Sequence, residues 1–119
     1  MKRGLFCDLH IHSCFSIASS SRMLPSCLVE VCRRKGIWVL GSGDALHEGW
    51  RDLWNRIPDT GEVLVVPTAE VEDHDRVHHL IILDSFERFE DLASDLARHA
   101  ARLQMTGRPH VRMPGSEIA

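Results

Sequence analysis

Apolar and polar side chains alternate over residues 5–11, the period of a strand with one buried face. The serine-rich stretch 13–21 breaks that period and predicts a loop. Residues 25–35 read as a helix. Proline suits its first turn, three cations at 33–35 oppose the negative end of its dipole, and Gly36 suits the stop. The N-cap is weak, because Leu24 has no side-chain acceptor. Residues 37–40 predict a short buried strand, and Gly41-Ser42-Gly43 a turn that delivers Asp44 and His47 on a loop. A short helix is expected over 51–57, closed by Pro58, and another buried strand over 63–66. Pro67 should bend the path to Glu70 or keep it at a sheet edge. Residues 77–83 predict a fourth strand, folded back through the polar turn Asp73-His74-Asp75-Arg76. From 86 to 104, Phe86, Phe89, Leu92, Leu96, Ala100 and Leu103 form one apolar stripe at helical spacing. Asp84 with Glu87 three residues later predicts its capping box. Beyond Gly107, Pro109 and Pro114 predict a loose, irregular tail.

Strand, helix, strand, helix, two strands, helix is an α/β pattern. Ligands in such folds gather at the C-terminal ends of strands. Asp44 and His47 follow one predicted strand, and Glu70 follows another.

Composition narrows this picture only modestly. A chain of 119 residues is one small domain. Its net charge of −3 gives no electrostatic sign of nucleic-acid binding, although a bound metal would bring its own positive charge. No apolar run is long enough to span a bilayer. The N-terminus leads into an aspartate and two histidines rather than an apolar signal segment, so a cytoplasmic location is expected. The four cysteines form no CxxC pair, which argues against a zinc ribbon or a thioredoxin-like motif. They are expected as reduced thiols, with Cys7 and Cys32 in the core.

The eight histidines are the unusual feature. His10 and His12, two apart on a predicted strand, would point the same way and could grip one ion. Asp44 could ligate a metal, orient a histidine or cap a helix. Glu70 is the one carboxylate embedded in an apolar run, and a buried carboxylate is costly unless paired or metal-bound. His78 and His79 are adjacent on a strand, so only one should reach the site. Each residue alone has a plainer reading, as a solvated face, a cap or a surface histidine. Their conjunction at four separate strand ends points to a divalent-metal centre, with zinc or manganese suited to mixed N/O ligands.

Four stretches in order resemble the polymerase-and-histidinol-phosphatase (PHP) family of metal-dependent phosphoesterases. They are Asp8-Leu9-His10-Ile11-His12-Ser13, Gly41-Ser42-Gly43-Asp44-Ala45-Leu46-His47, Thr68-Ala69-Glu70-Val71 and Val77-His78-His79-Leu80-Ile81. Within the family the details look most like the endonuclease Q group. The resemblance implies that residues 1–119 form the first part of a distorted (β/α)7 barrel whose C-terminal strands are missing. It implies two or three Zn2+ or Mn2+ ions: His10, His12 and Glu70 on the first, Glu70 and His79 on the second, His47 and Asp44 on the remaining one. Glu70, Asp44 and His47 would be the catalytic residues. The implied reaction is hydrolysis of a DNA phosphodiester near a deaminated or abasic site, a repair activity. A small-molecule phosphatase and a truncated metal-binding module without catalysis are the alternatives.

Three departures from the family pattern stand out. Its later ligands, including a final Asp-x-His, have no counterpart here. Ser19 stands where some members carry a third-site ligand, and Ala45-Leu46 and Glu48 replace the usual Phe-Thr and Pro. Half a barrel would leave strand edges and an apolar face open, so self-association or a completing C-terminal half is expected alongside the DNA substrate.

Overall fold

The computed structural model describes residues 4–16, 20–100 and 108–118. Its elements in order are β1 (Phe6–Asp8), α1 (Pro25–Lys35), β2 (Ile37–Gly41), α2 (Glu48–Asn55), β3 (Leu64–Val66), β4 (Thr68–Glu72), β5 (His78–Ile82), α3 (Phe86–Leu96) and α4 (Gly115–Ile118). β1, β2 and β3 form a parallel sheet in that order, as strand–helix–strand crossovers require. Pro67 separates β3 from β4, and the chain then pairs β4 with β5 as an antiparallel hairpin. The expected bend at Pro67 is therefore a change of sheet. Neither sheet closes on itself among the described residues.

α1 has the boundaries its sequence signals. Gly36 caps it at φ +73° and its N–H donates to the Cys32 carbonyl, while Leu24 supplies no side-chain cap. α2 begins earlier than residue 51 because His47 serves as its N-cap. α3 is capped by Ser85, whose hydroxyl accepts from the Arg88 N–H, and not by Asp84. It ends at Leu96, well short of residue 104, and residues 101–107 lie outside the described part. Ala100 is nevertheless buried, so the apolar stripe continues after the helix has unwound.

Two cores result. One holds Leu28, Val29, Cys32, Leu40, Trp50, Trp54 and Val63, between α1, α2 and the parallel sheet. The other packs α3 through Phe89, Ala93 and Leu96 onto Ala69 and Val71 of β4. Burying each such large apolar side chain contributes about 1.5–3 kcal/mol. The second core also takes in Val111 and Met113. The predicted loose tail is thus wrong for 109–113: Val111 is fully buried and the strap pairs with Glu72. Cys7 is exposed, against expectation, whereas Cys32 is buried and burial pushes its thiol up. No described helix is long and apolar enough to cross a membrane.

Candidate metal centre

Two glycines set the geometry of the site. A Cβ at Gly41 would lie 2.4 Å from the Leu9 carbonyl oxygen, and one at Gly43 would lie 2.0 Å from that of Ile11. Only glycine lets the turn after β2 press against the chain after β1. The turn is fixed from the other side by Thr68, whose hydroxyl accepts from the Gly43 N–H (2.9 Å). The Thr68 N–H in turn donates to the Ser42 hydroxyl (3.1 Å). Three chain segments are thereby held together, and each carries candidate ligands.

β1 stops at Asp8, so His10 and His12 are not strand neighbours and the shared-face argument fails for them. The loop still brings their rings to 5.2 Å between centroids. His10 Nε2 is 2.9 Å from Glu70 Oε2. Ligand atoms of His10, His12 and Glu70 all lie within 4.8 Å of one another. That spacing is near the span of an ion with ligands at about 2.0–2.2 Å on either side, and an N2O donor set suits zinc or manganese. The three residues therefore fit a divalent cation. Glu70 is 8% exposed in the middle of β4, so its charge is held out of water and met by His10 and by His78 Nδ1 at 3.2 Å.

Asp44 stands behind this group. Its carboxylate accepts from the Ser13 N–H (2.7 Å), the Ser13 hydroxyl and the Ser16 hydroxyl (2.7 Å). Its other oxygen is 3.4 Å from His12 Nδ1. An ionised carboxylate only accepts, so His12 donates from Nδ1 and keeps the Nε2 lone pair free for an ion. Asp44 is held at φ +47°, a backbone region that non-glycine residues rarely occupy.

His47 is not drawn into the three-residue group. Its Nδ1 accepts from the Trp50 N–H (3.3 Å) and its ring stacks on Phe15 at 4.2 Å. Burial lowers its pKa, so it is neutral near pH 7, and with Nδ1 accepting its proton sits on Nε2.

The register of the hairpin puts His79, expected as the second ion's ligand, on the face away from Glu70. Glu70 faces Leu80 and Glu72 faces His78, whereas His79 faces Val71 on the opposite side of the sheet. His79 Nε2 instead meets Asp73 Oδ2 at 2.9 Å, and this contact, with the N–H groups of Val77 and Asp75, lowers the Asp73 pKa. His78 is the histidine beside Glu70 and also lies 3.3 Å from Glu72.

Sequence reasoning gave Ser13, Ser16 and Phe15 no role in the site, because loop serines and a lone aromatic carry no periodic signal. It also missed Glu72 and Arg108, which reach the site only through the hairpin and the strap. A second acidic and histidine cluster, Asp73-His74-Asp75, lies on the exposed turn, where Asp73 is already committed to backbone N–H groups. A cavity of about 530 Å³ lies elsewhere, between α2 and the start of α3. Glu48, Asp52, Asp84, Glu87 and Glu90 line it, a surface that would repel phosphate.

No family model matches the chain. It is 35% identical over 111 residues to an uncharacterized protein of Methanocaldococcus jannaschii, an alignment covering 93% of this chain and 14% of that one. It is similar to the crystal structure of endonuclease Q in complex with a 27-mer duplex substrate bearing an abasic lesion at the active site. There the TM-score is 0.84 and the identity 32%, over 94% of this chain and 30% of that one. For the lesion-specific endonuclease PfuEndoQ from Pyrococcus furiosus the TM-score is 0.85 and the identity 30%, over 96% of this chain and 30% of that one. The chain thus spans less than a third of either solved protein, and its mixed α/β fold is like that part of endonuclease Q.

Proposed function

We propose that this chain is the metal-holding first part of a PHP-type barrel that hydrolyses DNA phosphodiesters near deaminated or abasic sites. The observation that carries the reading is the convergence of His10 and His12, on the loop after β1, with Glu70 of β4. The likeness to endonuclease Q supports DNA as the substrate class. A divalent ion held by these three residues would supply positive charge to the phosphate oxygens and acidify an attacking water. Asp44 orients His12 for that purpose and holds its proton at Nδ1. Glu70 contributes the negative charge that retains a cation on an otherwise open sheet face. His47 lies on the adjoining loop, where burial favours its neutral ring.

The test is nicking of a duplex containing an abasic site, uracil or hypoxanthine by the chain with Mn2+ or Zn2+, set against a phosphomonoester. Metal-dependent nicking is expected, and His12→Ala and Glu70→Ala should each abolish it and weaken metal uptake. Full activity in either variant overturns the reading. Turnover of the phosphomonoester alone would favour a small-molecule phosphatase. Metal uptake with cleavage of neither ester would favour a binding module.

A further inference from the structure

A polyanionic substrate needs cations beyond a metal, and this chain is acidic overall. Arg108 places a guanidinium beside the candidate centre. Its NH1 lies 3.2 Å from His78 Nδ1, the atom that is itself 3.2 Å from Glu70 Oε1. Arg108 therefore stands two hydrogen-bond lengths from the carboxylate that would hold the ion, at the rim of the same sheet face.

Its backbone is held on the strap, while its head makes only exposed contacts. The following residues are pinned to β4 by the Glu72 N–H donating to the Pro109 carbonyl (2.9 Å) and the Val111 N–H donating to the Glu72 carbonyl (2.8 Å). Val111 is fully buried, which anchors the strap in the core. The guanidinium, by contrast, is 3.7 Å from Glu72 and 44% exposed. An exposed ion pair of that length is worth little and is easily exchanged. If Arg108 swings away, Glu72 keeps His110 at 3.0 Å and His78 at 3.3 Å, so no carboxylate is stranded.

We infer that Arg108 contacts a DNA backbone phosphate flanking the ester held at His10, His12 and Glu70. The inference rests on the DNA reading above and adds the residue that positions the strand. Arginine suits this task because its planar fork meets phosphate oxygens in pairs.

The experiment measures binding of the metal-loaded chain to a fluorescent abasic duplex across a salt series, with metal uptake followed in parallel. Arg108→Ala is expected to weaken binding about three- to tenfold and to reduce the slope against log salt by about one. Metal uptake should be unchanged, and Arg108→Lys should keep the slope. Arg88→Ala removes the same charge from α3, behind the other face of the hairpin, and should alter neither quantity. Wild-type affinity and slope in Arg108→Ala overturn the inference and leave the DNA reading intact. Failure of the wild-type chain to bind the duplex overturns both.

Discussion

Gly43→Ala is the sharpest perturbation of the site, because it touches no candidate ligand. Gly43 has φ +63°, so any side chain costs about 1–2 kcal/mol in backbone strain alone. The added Cβ would also lie 2.0 Å from the Ile11 carbonyl oxygen, where real contacts essentially never fall below 3.0 Å. The Ile11 backbone must therefore retreat by about 1 Å. Ile11 sits between His10 and His12, so the movement carries both imidazoles away from Glu70. Disturbing the groups that orient metal ligands costs up to about a hundredfold in affinity. Gly36→Ala is the control. It has φ +73° but nothing within 4 Å of the added carbon, so only the strain cost applies. Both variants should melt earlier, by roughly 4 °C or more per kcal/mol. Calorimetric titration with Mn2+ or Zn2+ should show the hundredfold loss of affinity in Gly43→Ala alone. Wild-type affinity in Gly43→Ala, or an equal loss in Gly36→Ala, would refute the argument that close backbone approach builds the site.

Three further outcomes follow from the hairpin and the strap. His78→Ala should weaken metal uptake, whereas His79→Ala should lower stability and leave uptake unchanged; the reverse pattern in titration would reject the observed register. Val111→Ala removes two methyl groups from a fully buried site and should cost about 2 kcal/mol in urea denaturation. A cost near zero would mean the strap does not share the core. Asp73 has its pKa lowered below 3.8 in the folded state, chiefly by His79. Its contribution to stability is therefore complete above about pH 3.8 and lost as pH falls through the lower folded value. Asp73→Asn should flatten that acid limb of the urea midpoint, and an unchanged limb would assign acid sensitivity elsewhere.

The α/β order, the limits of α1 and the hairpin were legible because each rests on local chemistry. Proline at the first turn, cations at the last and Gly36 beyond it bracket α1 without reference to the rest of the chain. Glu70 was legible as a buried carboxylate because apolar residues surround it in sequence. The choice between His78 and His79 was not, since it depends on how many residues the turn after β4 consumes. That number is set by Asp73 accepting from the Asp75 and Val77 N–H groups, a tertiary detail of the loop. The strap failed for a different reason. Pro109 and Pro114 rule out regular helix, but irregular backbone can still carry Val111 and Met113 into a core. His47 was legible as a site-loop residue, but its capping bond to Trp50 depends on where α2 starts.

Phe86 packs against both cores and lies parallel to Trp54, with ring centroids 6.3 Å apart. At a distance from that aromatic pair, His10 and His12 lie beside one core and Glu70 rises from the other. An ion gripped by all three would act as a clasp across the seam, added to the hydrogen bonds among Ser42, Gly43 and Thr68 that already join the two sides. At a hundred times its dissociation constant, such a clasp would add about 2.7 kcal/mol against unfolding. Loosening the packing at Phe86 would then be felt as weaker metal affinity, at a distance from any ligand.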